Sequence, residues 1–191
     1  MKPAPMNLTN PHFAGQQGFM LLEALISIVI LAFGLLGLAG LQLKVQNTET
    51  DSYQRAQAIL LTEDMSNMLS ANRSNAASYV TGTVAPLGTG DNQPTNCSGL
   101  TGVSLDMCTW SNLLKGASEV KSGASVGAMT NAVGCIESLG GTPSVYRVTV
   151  AWQGMAQLNP PALTCGKNLY GNDGNRRAIA SLITIASLTA P

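Results

Sequence analysis

The chain has 191 residues, only 10 % of them charged, and its ten Lys and Arg are balanced by ten Asp and Glu. That length suits one folded domain with an appendage rather than two full-sized domains, and a formal charge of zero gives no electrostatic support for nucleic acid as a partner. The single histidine, His12, leaves no His-based catalysis or His-ligated metal to any product that begins after it.

Charge is unevenly placed: between Lys2 and Lys44 the only ionisable groups are His12 and Glu23. Ala24 to Leu43 is an uncharged run of twenty residues, which as a helix spans about 30 Å and matches the hydrocarbon core of a bilayer. A helix apolar on every side reads as a membrane span rather than as the core helix of a soluble domain. A cleaved secretory signal is the rival reading, with Gly37 and Ala39 as a small-x-small pair. The run exceeds the ~7–15 residues of a signal core and is preceded by a single base, Lys2, so it reads as retained. Glu23 stands at the start of the run, where a carboxylate costs on the order of 2–3 kcal/mol to insert unless it is paired.

Gly18-Phe19-Met20-Leu21-Leu22-Glu23 followed by the long apolar run resembles the prepilin cleavage motif of type IV pilins and type II secretion pseudopilins. The resemblance implies a leader peptide of residues 1–18, removed by a prepilin peptidase between Gly18 and Phe19, and N-methylation of Phe19 as the new amino terminus. It also implies that Glu23 complements the free amine of a neighbouring subunit during assembly. A charge that is costly alone and cheaper beside its counter-charge sets one axial offset between subunits.

Residues 19–43 then form the transmembrane and filament-core half of a stem helix, and residues 44–80, free of Pro and Gly, its amphipathic half. At 100° per residue, Val45, Tyr53, Ala56, Ile59 and Leu60 share one face, and Ala58, Leu61, Met65, Met68 and Leu69 the opposite one. One stripe is expected to pack on the chain's own sheet and the other on neighbouring helices. Gly34, Gly37 and Gly40 recur within the membrane half, where they allow close packing or local unwinding.

From Thr81 the composition shifts to Gly, Ser, Thr, Asn and Pro, which reads as an irregular connection opening a domain of residues 81–191. A short helix is predicted from Ser104, as its cap, to Lys115, with Met107, Trp110 and Leu114 on one face and Gly116 as its stop. Ser144 to Gln153 is the clearest strand, with Tyr146, Val148, Val150 and Trp152 alternating towards a core. A weaker strand is expected around Val133 to Glu137 and a closing one from Ala178 to Leu188. The fold class is therefore α+β, pilin-like: a long amino-terminal helix, membrane-inserted in its first half, packed on a small antiparallel sheet.

Tyr53-Gln54-Arg55-Ala56-Gln57, Asn72 to Tyr79, and Tyr146 to Gly154 with Cys165-Gly166 and Arg176-Arg177 are similar to the PilV-type minor pilins of the type IV pilus. That similarity implies a non-enzymatic subunit with no cofactor, held in the inner membrane by one span with a periplasmic domain, and later part of the pilus at the cell surface. Its implied partners are the major pilin and other minor pilins, and its implied effects are on twitching motility, adhesion or DNA uptake. A pseudopilin of type II secretion is the alternative, and a membrane-anchored periplasmic protein a more distant one.

Cys97, Cys108, Cys135 and Cys165 have no CxxC spacing and no histidine beside them, so disulfides are expected rather than zinc. Three connectivities exist, of which Cys97–Cys108 with Cys135–Cys165 is preferred. Gly171 to Asn175 offers one carboxylate and reads as a turn rather than a calcium loop. Arg176 and Arg177 read as a solvated strand edge.

Overall fold

The computed structural model describes residues 17–117, 120–122, 124–125, 127 and 129–186. Two compact units divide between Gln46 and Asn47. The fold is α+β, with a long amino-terminal helix, α1 (Gln17–Ala71), and a small antiparallel sheet of four strands.

In the first unit every residue from Met20 onward is helical and exposed. This stretch of α1 is long and apolar enough to cross a membrane. Sixteen large apolar side chains between Met20 and Val45 are 45–75 % exposed. Left in water, that surface forgoes roughly 20 kcal/mol of burial, so the segment requires an apolar surrounding.

In the second unit the rest of α1 buries one stripe: Ala58, Leu61, Met65 and Leu69, with Gln54 and Thr62 beside them. On the opposite side of this stretch Tyr53, Ala56, Ile59 and Leu60 stay exposed, as does Val45 in the first unit. The α-helix stops at Ala71, short of the expected residue 80. Asn72 leaves helical geometry, with φ −112° and ψ 42°, and a 3-10 helix, Arg73–Tyr79, follows. Asn72 Nδ2 donates to the Tyr79 hydroxyl at 3.1 Å, an instance of an Asn side chain offering the chain an alternative to helix.

A strand, β1 (Gly82–Gly88), occupies the stretch expected to be irregular. Its pairing hides it from sequence patterning, because it meets its neighbour only at Gly82↔Ile136, Leu87↔Gly134 and Gly88↔Val133, with a bulge between. Pro86 is tolerated there because β1 is an edge strand. Helix α2 (Gly102–Leu114) starts two residues before Ser104, with Thr101 rather than Ser104 as its N-cap. Gly116, at φ 86°, ends it in the left-handed region that a side chain disfavours.

Two short strands, β2 (Val120–Lys121) and β3 (Ala124–Ser125), pair with each other. The sheet is completed by β4 (Val133–Gly140), β5 (Ser144–Gln153) and β6 (Arg176–Ile185), in the order β1-β4-β5-β6. The part of the closing-strand expectation that falls on residues 187–188 lies outside the described residues.

Period-2 alternation sends Ile136, Tyr146, Val148, Val150 and Trp152 to the face covered by α1 and α2, where they form the main core. The other face is covered too. Val133, Cys135 and Ala151 pack there with Cys165 and Tyr170 from the segment between β5 and β6, which is why Thr149 and Ala151 are fully buried despite pointing away from the main core.

Candidate functional site

The amino-terminal motif singled out in the sequence lies at the start of α1. Residues 1–16, His12 among them, lie outside the described residues. Gly18 and Phe19 fall in the first turns of α1. Glu23 is exposed, and its carboxylate has no ion-pair or hydrogen-bond partner among the described residues. Only its backbone carbonyl is engaged beyond the helix ladder, accepting from Ser27 Oγ at 2.8 Å. A carboxylate at the head of an exposed apolar helix is costly to place in an apolar surrounding unless it is paired.

The four cysteines close two bonds, Cys97–Cys108 and Cys135–Cys165. The first ties the loop after β1 to α2, where Asn112 Nδ2 also donates to the carbonyls of Pro94 and Thr95. Asp91 orders the same loop. Burial alone would raise its pKa, but the Lys115 ammonium, the Ser111 hydroxyl and the amides of Gly88 and Gln93 together hold its carboxyl below the usual carboxylate range. The second bond fastens the segment after β5 to the sheet face opposite α1.

Arg176 corrects the expectation of a solvated edge: it is 2 % exposed. All five of its donors are used. Nε and Nη2 grip the Asp173 carboxylate at 2.7 and 2.9 Å. Nη1 donates to the carbonyls of Leu163 and Cys165, and the remaining Nη2 hydrogen goes to Pro161. The guanidinium thereby gathers the segment from Pro161 to Asp173 around itself and, hydrogen-bonding to Asp173, holds that carboxyl below its ordinary range. Asp173 is therefore committed to Arg176, and Asn172 Oδ1 accepts from the Gly174 amide at 2.8 Å, as in a capped turn. No residue pattern announced this clamp, because an arginine pair beside a strand ordinarily faces water.

Arg177 remains at the surface, donating to the carbonyls of Gly174 and Ala156. It lines a cavity of about 380 Å³ at the foot of β6 together with Asp51, Arg55 and Trp152. Among the described residues, no group of three or more His, Cys, Asp or Glu is placed to hold a metal ion.

No family model, curated protein or solved structure matches this chain.

Proposed function

We propose that this chain is a type IV pilin-like subunit, most similar in its sequence motifs to the PilV-type minor pilins, which a prepilin peptidase clips after Gly18 and which joins a filament without catalysing a reaction. The observation that carries this reading is the exposed apolar helix with a lone carboxylate, Glu23, that has no partner among the described residues and stands five residues after Gly18 of a Gly-Phe junction. The inner membrane supplies the apolar surrounding before assembly, and the major pilin and other minor pilins supply it afterwards. The exposed stripe of Val45, Tyr53, Ile59 and Leu60 extends the same contact beyond the bilayer. The amine of Phe19 on an adjacent subunit is the cation that Glu23 lacks.

Replacing Glu23 tests this reading. Glu23→Ala is expected to leave membrane insertion and cleavage intact while lowering the amount of the protein recovered in sheared fibres severalfold. Wild-type recovery of the variant sinks the proposed role of Glu23.

A further inference from the structure

Strand β6 pairs with β5 over all ten residues, from Ser144↔Ile185 to Gln153↔Arg176, without a break in register. It has no strand on its other side among the described residues. Along that side, every second residue presents an N–H and a C=O with no ladder partner, and another β-strand is the structure whose donors and acceptors match such a row.

Folded proteins blunt edges of this kind with charge, proline, bulges or short length. The opposite edge of this sheet does so, since β1 is seven residues long, bulged and carries Pro86. Beyond its first two residues, Arg176 and Arg177, β6 has none of these devices: Ala178 to Ile185 contains no charge and no proline. The core is also unfinished on this side. Ile179, Ile183 and Ile185 pack against it yet remain only half-buried, and Leu182 on the outer face is 65 % exposed.

We infer that the free edge of β6 is a docking site for an extended strand of a different polypeptide, apolar at every second residue, uncharged through its centre and acidic near one end. The alternation is required to close the core over Ile179, Ile183 and Ile185. The uncharged centre follows from Ala178–Ile185, which offers no counter-charge. The acidic end follows from the cavity at the foot of β6, which Arg55 and Arg177 line with one carboxylate, Asp51, and where neither arginine is ion-paired among the described residues.

A second copy of the chain does not fit this edge. Antiparallel pairing of β6 with itself needs a twofold axis normal to the sheet. Because α1 lies along the sheet face through Ala58, Leu61, Met65 and Leu69, that axis reverses its direction. The Asn47 end of this stretch leads to the apolar run by chain connectivity, so two copies anchored in one membrane cannot pair this way. This exclusion rests on the membrane-anchored reading above. Pairing with the β1 edge of a copy is blocked by the bulge and by Pro86.

The test uses the full chain in detergent micelles and a fluorescent peptide, Val-Thr-Val-Thr-Val-Thr-Val-Glu, whose terminal Glu falls at the foot of β6 when the peptide adds antiparallel as the other strands of the sheet do, in three forms. Two carry N-methyl groups on alternate backbone amides, one set or the other, so that each keeps one edge able to pair. The third is fully N-methylated. One alternately methylated form is expected to bind saturably, at least tenfold tighter than the fully methylated form, and to slow hydrogen exchange in β6 but not in β1. Changing its Glu to Gln is expected to weaken binding at least threefold. Equal binding of all three forms, or binding by none, overturns the strand-addition site, and protection of β1 instead of β6 overturns its location. A β6-paired dimer that the peptide disperses overturns the assignment to a different polypeptide. Cleavage after Gly18 plays no part in the measurement, so its failure is separable from failure of the filament reading.

Discussion

The indole of Trp110 lies directly over Gly134 of β4, so closely that a Cβ at position 134 would stand 2.1 Å from Trp110 Cη2. Trp110 cannot easily give way, because its Nε1 donates to the Leu61 carbonyl of α1 at 2.8 Å and the side chain is fully buried. One glycine thus fixes how α2, α1 and the sheet meet.

Gly134→Ala is therefore expected to destabilise the domain by about 1–3 kcal/mol through overpacking. Chemical denaturation followed by tryptophan fluorescence measures this. Gly82→Ala supplies a contrast of a different kind: nothing lies near a Cβ at position 82, so any cost there comes from its φ of +66° alone.

Arg176→Met removes five donors at once and leaves Asp173 and the carbonyls of Leu163, Cys165 and Pro161 without their partner. Breaking a buried pair from one side costs about 3–5 kcal/mol. The midpoint of urea unfolding should fall accordingly, and the segment from Pro161 to Asp173 should become the first site of proteolysis.

Acid dependence follows from the same pair and from Asp91. Both carboxyls are held below their ordinary range in the fold, so the stability they contribute is present above the unfolded value of about 3.9 and is lost as pH falls through the lower folded values. Denaturant midpoints measured from pH 5 downward should decline below about pH 4. Asp91→Asn and Arg176→Met should each flatten that decline.

Tyr79 gives the alkaline counterpart. Burial, and then its hydrogen bond to Asp106, push its hydroxyl from 10.0 up to about 12. The folded value is the higher one, so this stabilisation is complete below pH 10 and disappears as pH rises through about 12. Absorbance titration at the phenolate band should show the Tyr79 step near pH 12, and Tyr79→Phe should abolish that step.

What the sequence disclosed and what it concealed divide along physical lines. The strand at Ser144–Gln153 is legible because Tyr146, Val148, Val150 and Trp152 alternate without interruption, and the apolar run behind Glu23 because nothing charged interrupts it. Strand β1 is concealed because a bulged edge strand built from Gly, Thr and Pro carries no period. The end of α1 at Ala71 depends on a hydrogen bond between Asn72 and Tyr79, seven residues apart, which no window of helix propensity registers. Burial of Arg176 requires three carbonyls from 11 to 15 residues upstream, and their convergence exists only after folding. Of the candidate site, Glu23 and its apolar helix were visible from charge placement alone, whereas the open edge of β6 needed the strand order.

The most direct test of the filament reading is the mass and sequence of the mature amino terminus, taken from protein recovered from membranes. A chain beginning at N-methylated Phe19 is the predicted result. A chain beginning at Gly40, or one retaining Met1, contradicts prepilin processing and with it the proposed assembly role of Glu23.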